Sequence, residues 1–149
     1  MKLEEILNEE VRTFFSLDVL QTAEDAIRLM SEKQVSAVIV TENDLPVGIF
    51  TERDVPHCYV RYEEKPFNEI GLKEAMTNKL IVGKPEDQIE NIISLMVQAD
   101  IRHLPIVEGP DIIGIVYICD LLHHQLGTLN TEIRYLEEYL KDLQEAVTD

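Results

Sequence analysis

The fold is indicated by a stretch that occurs twice, first as Gly48-Ile49-Phe50-Thr51-Glu52-Arg53-Asp54 and, 66 positions later, as Gly114-Ile115-Val116-Tyr117-Ile118-Cys119-Asp120. The glycine, the following isoleucine and the final aspartate are identical in the two copies. The alignment continues upstream without a gap, since Glu24 meets Glu90 at the same offset. The chain therefore contains an internal duplication, and each copy is expected to form one structural unit.

Upstream of each copy, apolar residues recur at steps of three and four. This spacing is typical of one buried face of an amphipathic helix. The residues are Ala23, Ala26, Ile27 and Met30 in the first half, and Ile89, Ile92, Ile93 and Met96 in the second. Thr22 with Asp25, and Asp87 with Glu90, are predicted to form the capping boxes that begin these two helices.

After each helix come two short β-rich runs separated by a polar turn, which predicts a hairpin in each half. The runs span 35–40 and 46–50 in the first half, and 101–107 and 112–117 in the second. A further helical segment follows each hairpin. Each half is thus predicted to be a β-α-β-β-α unit of roughly 55 residues, a size that is marginal alone. We therefore expect an α+β fold in which the two units pack together as an intramolecular pseudo-dimer.

The charged stretch 62–71 contains Pro66 and Gly71 and is typical of a linker between the units. The predicted organisation is a first domain at 1–66, a second domain at 67–125 and a C-terminal helix at 126–149.

Beyond the second unit, apolar residues alternate at steps of four and three, which is a heptad seam. They are Leu122, Leu126, Leu129, Ile133, Leu136, Leu140, Leu143 and Val147. Self-association through 129–147 is favoured over packing on the chain's own units, because a helix that extends past a complete pseudo-dimer needs a partner. In a parallel pair Glu132 would oppose Glu137, whereas antiparallel pairing or docking on a neighbouring unit avoids that clash.

Composition narrows the class of protein. The chain has 149 residues, 29 acidic and 13 basic, and a net charge of −16. Such a field repels phosphate backbones and anionic membranes, so we expect no direct nucleic-acid binding. No apolar run approaches the ~20 residues of a membrane span, and the N-terminus has no signal-peptide core. Two cysteines cannot build a disulfide framework, so a reducing, cytoplasmic location is expected.

The duplicated Gly-apolar-x-Thr-x-x-Asp stretch, together with the strand Arg102-His103-Leu104-Pro105-Ile106-Val107 and the helix before each hairpin, resembles the cystathionine-β-synthase (CBS) domain pair, or Bateman module. The resemblance covers roughly residues 8 to 125. It implies that a cleft between the units binds an adenosine nucleotide or a related adenosyl ligand.

The same resemblance implies a role for individual residues. Asp54 and Asp120 would accept hydrogen bonds from ribose hydroxyls, and Thr51 would donate its hydroxyl to a phosphate. Backbone groups would face the base near Val19, Ala37 and Val38 in one site, and near Val82, His103 and Leu104 in the other.

General chemistry agrees with these roles. An ionised carboxylate only accepts hydrogen bonds and can take both hydroxyls of a diol. A following helix N-terminus and the guanidinium groups of Arg53 and Arg102 suit a phosphate. Two alternatives stay open. Asp54 and Asp120 begin helices and could simply be caps, and Tyr117, which replaces the motif's hydroxyl residue, could stack on a base or fill the phosphate space.

Other chemistries have little support in the sequence. The four histidines, His57, His103, His123 and His124, show no convincing metal-ligand spacing with carboxylates. Common catalytic motifs such as the P-loop, GxSxG and HExxH do not occur. The sequence therefore predicts neither a metal site nor an enzyme.

The function predicted from the sequence is regulatory. A cytoplasmic homodimer would sense an adenine nucleotide, with AMP or ADP favoured and ATP possible, and report occupancy to a separately encoded protein. The nucleotide would be a regulatory ligand, and no cofactor would be required. The alternatives are a dimerisation or docking module with empty clefts, and a binder of S-adenosylmethionine or NAD.

Overall fold

The chain folds into two units of helices and strands followed by one long helix. The computed structural model describes residues 1–148. The first unit contains a 3-10 turn, helix α1, strand β1, helix α2, strands β2 and β3, and helix α3. In that order their bounds are Leu3–Ile6, Glu9–Arg12, Ser16–Asp18, Ala23–Lys33, Ala37–Glu42, Leu45–Thr51 and Asp54–Arg61.

The remaining elements belong to the connection, the second unit and the C-terminus. A 3-10 turn and helix α4 form the connection, and helix α5, strands β4 and β5, and helix α6 follow. Their bounds are Phe67–Glu69, Leu72–Ala75, Ile89–Ala99, His103–Glu108, Asp111–Tyr117 and Ile118–Thr148. The first sheet has the order β1-β2-β3, with β1 parallel to β2 and β2 antiparallel to β3. The second sheet is the antiparallel pair β4-β5.

The predicted duplication is confirmed at the level of single residues. Helices α2 and α5, strands β2 and β4, and strands β3 and β5 each begin and end 66 positions apart. Equivalent strands share the same pattern of buried and exposed side chains. Even the irregularity in strand pairing recurs, between Val40 and Thr41 and again between Ile106 and Val107. The α+β class and the paired-unit architecture are therefore as expected.

Two local predictions for the second unit were wrong. Its leading strand is reduced, within residues 1–148, to a single parallel bridge between Gly83 and Ile106. The next residues explain this, because Pro85 has no N–H to donate to a strand ladder. The capping box at Asp87 does not form either, since its carboxylate accepts from the N–H of Lys84 at 2.8 Å. The capping box of α2, between Thr22 and Asp25, is present as predicted.

Each unit's core is completed by the segment that precedes the other unit. Leu3 and Val11 are buried in the core of the second unit, and Ile70 and Leu72 in the core of the first. Backbone bonds hold these segments in place, including Leu3 N–H to the Asp87 carbonyl at 2.9 Å. The domain bounds 1–66, 67–125 and 126–149 stay a prediction. They divide the chain by sequence, whereas in the fold each leading segment packs in the core of the other unit.

The two sheets meet through a small apolar cluster that contains residues of both units. Its buried members are Ala37, Ile39, Ile49 and Ile115. A polar contact joins the units beside it, where Ser36 Oγ lies 2.9 Å from His103 Nε2. The units therefore form one body with a shared interior, and the cleft described below lies at its edge.

Helix α6 is continuous over 31 residues. It passes through Gly127 without a break, and only its first turns pack on the second unit, with Leu121 fully buried. The seam residues from Leu126 onward are exposed, so the alternative that the stripe packs on its own units is wrong for this chain. The predicted helix end at Asp149 lies outside the described residues. Within those residues, no helix is both long and apolar enough to cross a bilayer.

A glycine substitution tests the exchanged packing. A Cβ at Gly114 would lie 2.6 Å from the backbone carbonyl oxygen of Val11 in the exchanged segment. Gly114→Ala should therefore lower the free energy of unfolding by about 1–3 kcal/mol, as overpacking does. Gly127→Ala is the control, because a Cβ there meets nothing within 4 Å, and it should stabilise α6 by about 0.5–1 kcal/mol. Urea unfolding measures both, and equal effects of the two variants would contradict the exchange.

Candidate functional site

A cleft of about 290 Å³ opens where the first unit, the connection and the second unit meet; we call it the first cleft. The first unit contributes Ile49, Thr51, Arg53, Asp54 and His57. The connection contributes Thr77, Lys79, Leu80 and Ile81, and the second unit contributes Asp100, Ile101, Arg102, His103 and Pro105. Five residues predicted from the sequence, Thr51, Arg53, Asp54, Arg102 and His103, are thus brought together.

The carboxylate of Asp54 lies at the start of α3 and is held from two sides. Its Oδ2 accepts from the N–H of Thr51 at 2.8 Å and from the Thr51 hydroxyl at 3.4 Å. Its Oδ1 accepts from the hydroxyl of Thr77 at 3.2 Å. Asp54 is the first residue of α3, and its carboxylate bonds backward to Thr51 at the end of β3. A carboxylate offers about four acceptor positions, so room for a further donor remains.

Three cations, Arg53, Lys79 and Arg102, line the same cleft as this carboxylate. Arg53 also joins the two units directly. Its guanidinium donates to the carbonyl oxygen of Asp100 at 2.7 Å and to the Asp100 carboxylate at 3.2 Å. Both side chains of this ion pair are substantially exposed, at 40% and 86%. The pair is therefore a weak, solvent-screened tie across the mouth of the cleft.

His103 forms the inner wall of the first cleft and is only 8% exposed. Its ring contacts Ser36 Oγ at 2.9 Å and packs edge-on against Tyr117, with the ring centroids 4.7 Å apart. Burial, and secondarily the charge of Arg102, lowers the pKa of His103 from 6.5 to about 4. The imidazole is therefore neutral near pH 7. Tyr117 packs on this ring rather than lining the first cleft among the described residues.

The second repeat's aspartate lies in a different and smaller cavity of about 150 Å³; we call it the second cleft. Its other lining residues are Ile6, Asn8, Glu10, Val11, His123 and His124. Asp120 is the third residue of α6, whereas Asp54 is the first residue of α3. Over the described part of the chain, no group of three or more His, Cys, Asp or Glu side chains is arranged to hold a metal ion.

The apolar residues predicted near a base lie mainly in the cores. Leu104, Val38, Val19 and Ala37 are buried, and Val82 is partly exposed. Among described residues, the first cleft is lined by their neighbours instead, namely Ile81, Ile101 and Pro105. Strand alternation explains the difference at Leu104, since His103 and Pro105 on either side of it face the cleft.

Sequence reasoning missed Thr77, Lys79, His57 and Asp100. Asp100 ends α5 in the left-handed conformation, with φ of 53°, as its repeat counterpart Gln34 does at 54°. The signal for Thr77 and Lys79 was the duplication itself. A segment that leads into one unit can complete a site on the other unit, but only the packing reveals that exchange.

The depressed pKa of His103 makes stability depend on pH. Because the folded state holds His103 with a pKa of about 4, against 6.5 for the free group, the unfolded state binds more protons between these values. Stability should therefore fall as pH is lowered through this interval, by about 1 kcal/mol between about pH 7.5 and about pH 5.5. His103→Gln should remove that part of the slope, measured by urea unfolding at each pH. The exposed His123→Gln is the control, and an unchanged slope in His103→Gln would contradict the assignment.

Comparison with known proteins agrees with this architecture. A family model described as CBS domain matches residues 4–58 and 72–127. The CBS domain-containing protein YhcV of Bacillus subtilis is 33% identical over 107 residues, which cover 72% of this chain and 75% of YhcV. The chain spans 63% of a relative from Methanopyrus kandleri and 60% of CBSX3 from Arabidopsis thaliana.

Solved structures show the same fold. A CBS-domain protein of Burkholderia ambifaria has a TM-score of 0.76 at 30% identity, over 84% of this chain and 91% of that chain. The CBS domain pair of protein MJ0100, solved with 5′-methylthioadenosine and S-adenosyl-L-methionine, has a TM-score of 0.71 at 16% identity, over 86% and 97%; at that identity the likeness concerns the fold alone. With both halves matched by the family model, the chain belongs to the CBS domain family as a tandem pair.

Proposed function

We propose that this CBS domain pair is a regulatory, non-enzymatic module that binds an adenine nucleotide, preferably AMP or ADP, in the first cleft. The observation that carries the proposal is the meeting of one carboxylate, Asp54, with three cations in a cavity between the two units. A nucleotide needs an acceptor for its ribose and positive charge for its phosphate. The first cleft is lined by both kinds of group.

Asp54 is the proposed ribose-binding residue. Its Oδ1 already accepts one hydroxyl donor, from Thr77, at 3.2 Å. Thr77 is exposed, so a ribose hydroxyl can replace that donor without leaving a buried group unpaired. Hydrogen bonds to an ionised carboxylate are about twice as strong as neutral ones. One ribose hydroxyl would thus take the place of the Thr77 hydroxyl at Oδ1, and the second would donate to a remaining acceptor position of the carboxylate.

The phosphate would lie between the start of α3 and the cations. Thr51 carries a hydroxyl beside that helix N-terminus, where backbone N–H groups favour an anion. Arg53 and Arg102 present planar donor forks that match phosphate oxygens, and Lys79 adds a compact charge. The apolar side chains of Leu80, Ile81 and Ile101 provide a surface on which the base can pack.

The duplication strengthens the choice of the first cleft over the second. At the positions 66 residues away in the other repeat, each of the three cations is replaced by an uncharged residue. The counterparts of Arg53, Lys79 and Arg102 are Cys119, Thr13 and Ser36. The second cleft also contains Glu10 beside Asp120 and is half the volume. An anionic ligand is therefore expected in one cleft only.

Volume and charge favour a short phosphate chain. A cavity of about 290 Å³ lies at the lower end of the roughly 300–1,000 Å³ range of ligand pockets. The net charge of −16 adds long-range repulsion for each extra phosphate. Both effects favour AMP or ADP over ATP, although the cleft opens to solvent on one side.

Signalling would follow from contacts of the ligand with both units. A phosphate competes with Asp100 for Arg53, so binding replaces the direct tie between the units by one through the ligand. Helix α6 begins at Ile118, immediately after β5 ends at Tyr117, so a change in the second unit's orientation moves the helix with it. The ligand shifts the balance only by its differential affinity for the two arrangements. We propose a homodimer and a separately encoded regulated protein as receivers, in the cytoplasm.

A second candidate is a dimerisation or docking module that binds no ligand. The observation that favours it is that both carboxylate oxygens of Asp54 already accept hydrogen bonds within the protein, from Thr51 and Thr77. A third possibility is a different adenosyl ligand, since the MJ0100 pair was solved with S-adenosyl-L-methionine. The experiments below separate all three.

Thermal unfolding in the presence of AMP tests the site. At 100 times its dissociation constant, a ligand specific for the folded state adds about 2.7 kcal/mol, which raises Tm by about 5–10 °C for a chain of this size. Asp54→Asn keeps the size of the side chain but removes its charge, so it should weaken AMP binding at least tenfold. Asp120→Asn, the repeat-equivalent change in the second cleft, should leave AMP binding unchanged.

The outcomes are distinguishable. A loss of stability without AMP, together with unchanged AMP affinity in Asp54→Asn, would assign Asp54 to the local strand–helix turn alone. A Tm that does not move with AMP, ADP, ATP, NAD or S-adenosylmethionine would favour the docking module. A shift with S-adenosylmethionine only would change the ligand and keep the cleft.

Isothermal calorimetry tests the preference among nucleotides. AMP and ADP should bind more tightly than ATP at low ionic strength, and the difference should shrink as salt screens the net charge. Substituting Lys79→Met should weaken all three, because it removes one of the phosphate cations. ATP binding tenfold more tightly than AMP would contradict the preference.

A further inference from the structure

The C-terminal helix carries an apolar seam that the described chain leaves uncovered. Its eight side chains are 40% to 85% exposed; they are Leu122, Leu126, Leu129, Ile133, Leu136, Leu140, Leu143 and Val147. Together they offer on the order of 700 Å² of surface, close to the roughly 800 Å² that each partner contributes to a standard protein interface. A second copy of this chain would bring an identical seam.

We propose that two chains pair through this seam as an antiparallel two-helix coiled coil, with Ile133 packed against the partner's Leu136. This inference rests on the proposed homodimer and adds its orientation and its register. In heptad notation the a positions are occupied by Leu126, Ile133, Leu140 and Val147. The d positions are occupied by Leu122, Leu129, Leu136 and Leu143. Antiparallel helices pack each a residue against a partner d residue.

In one register, every seam residue packs against a seam residue of the partner. If Ile133 packs against the partner's Leu136, then Leu126 packs against the partner's Leu143 and Leu129 against the partner's Leu140. Leu122 and the partner's Val147 close the ends. By the two-fold symmetry, each pair occurs twice. All eight apolar side chains of each chain are then covered, without an overhang at either end.

The flanking residues are complementary in this register on the g side. Glu132 comes within about 3 Å, along the axis, of the level of the partner's Tyr139. The phenol can donate a hydrogen bond to the carboxylate, so an acidic side chain meets a donor.

The e side is complementary as well. Glu137 lies at the same small axial offset from the partner's Asn130 and the partner's Arg134. The amide and the guanidinium are both donors to a carboxylate, and the guanidinium adds charge. Every glutamate beside the seam thus faces a donor.

Other arrangements place glutamates against each other. A parallel, in-register dimer sets Glu132 opposite the partner's Glu137 on both flanks. An antiparallel shift by one heptad in one direction pairs Glu137 with the partner's Glu137 and leaves Leu122 and Leu126 uncovered. The opposite shift pairs Glu132 with the partner's Glu132 and leaves Val147 uncovered. Like charges across such a seam are destabilising, so the proposed register is favoured by both charge and burial.

The arrangement also sets the distance between the folded bodies. Each helix leaves its second unit at the buried Leu121. In the proposed register the two Leu121 levels lie about 40 Å apart along the axis, at 1.5 Å per residue. The two CBS pairs would therefore sit at opposite ends of the coiled coil, each beside the other chain's helix tip.

Disulfide trapping in the full chain tests the register. In a Cys119→Ser background, which removes the exposed thiol and retains the buried Cys58, Leu126→Cys and Leu143→Cys are made as separate variants, one carrying a mass tag. Mixed and mildly oxidised, they should give the mixed disulfide dimer in at least tenfold excess over either self-linked dimer. Self-linked dimers of both variants would show a parallel pair, and absence of the mixed dimer would overturn the proposed register.

Charge reversal gives an independent readout by sedimentation equilibrium. Glu132→Lys faces the partner's Tyr139 in the proposed register, so the dimer dissociation constant should change by less than threefold. In a parallel pair the same variant turns two Glu–Glu contacts into Lys–Glu contacts, and a tightening of tenfold or more would overturn the antiparallel arrangement. Glu138→Lys, on the outer face of the helix, is the matched control.

Failures of the two proposals are separable. A chain that stays monomeric at tens of micromolar would overturn both the register and the homodimer. The AMP-dependent shift in Tm would still test nucleotide binding independently. A dimer without disulfides at the seam would overturn this inference and keep the homodimer. A mixed disulfide dimer without any nucleotide effect on Tm would support the coiled coil and count against nucleotide sensing.

Discussion

The exchange of leading segments is the constraint on which the rest of this structure depends. Leu3 and Val11 are buried in the second unit and Leu72 in the first, so neither unit has a complete core by itself. At about 25 cal/mol per Å² of apolar surface, separating the units would expose both cores as well as the shared cluster. The first cleft is a product of the same exchange, because Thr77 and Lys79 follow directly on the segment that Leu72 anchors.

The sequence predicts the elements that depend on neighbouring residues and that occur in both repeats. The spacing of helix faces and hairpins depends on neighbouring residues only, and an offset that recurs in two halves doubles the evidence, so α2, α5 and both hairpins were predictable. The exchange was not, because Leu3 and Leu72 are apolar in a pattern that would suit either unit. The same holds for the site: the motif identified Thr51 and Asp54, whereas Asp100 enters the cleft only because its helix end packs across from Arg53.

Divergence between the copies explains why one duplicated fold has two unequal clefts. At Asp54 the leading segment supplies the hydroxyl of Thr77, and at the equivalent position near Asp120 it supplies the buried Val11. The two leading segments approach the sheets equally closely, since a Cβ at Gly48 would lie 2.8 Å from the carbonyl oxygen of Thr77 and one at Gly114 would lie 2.6 Å from that of Val11. The clefts therefore differ in side-chain chemistry rather than in backbone packing, because Val11 stands in place of Thr77.

The energetics of the tie between Arg53 and Asp100 limit how the first cleft can signal. Both partners are exposed, so the ion pair contributes only about 0–1 kcal/mol, and breaking it releases little. In the proposed function, a ligand-driven change would instead come from new bonds made to both units at once, at Asp54 on one side and Arg102 on the other. Charge-assisted bonds of this kind contribute about 1.5–3 kcal/mol each. In the proposed function, a ligand would therefore displace this weak tie at little cost, while the exchanged cores keep the two units together.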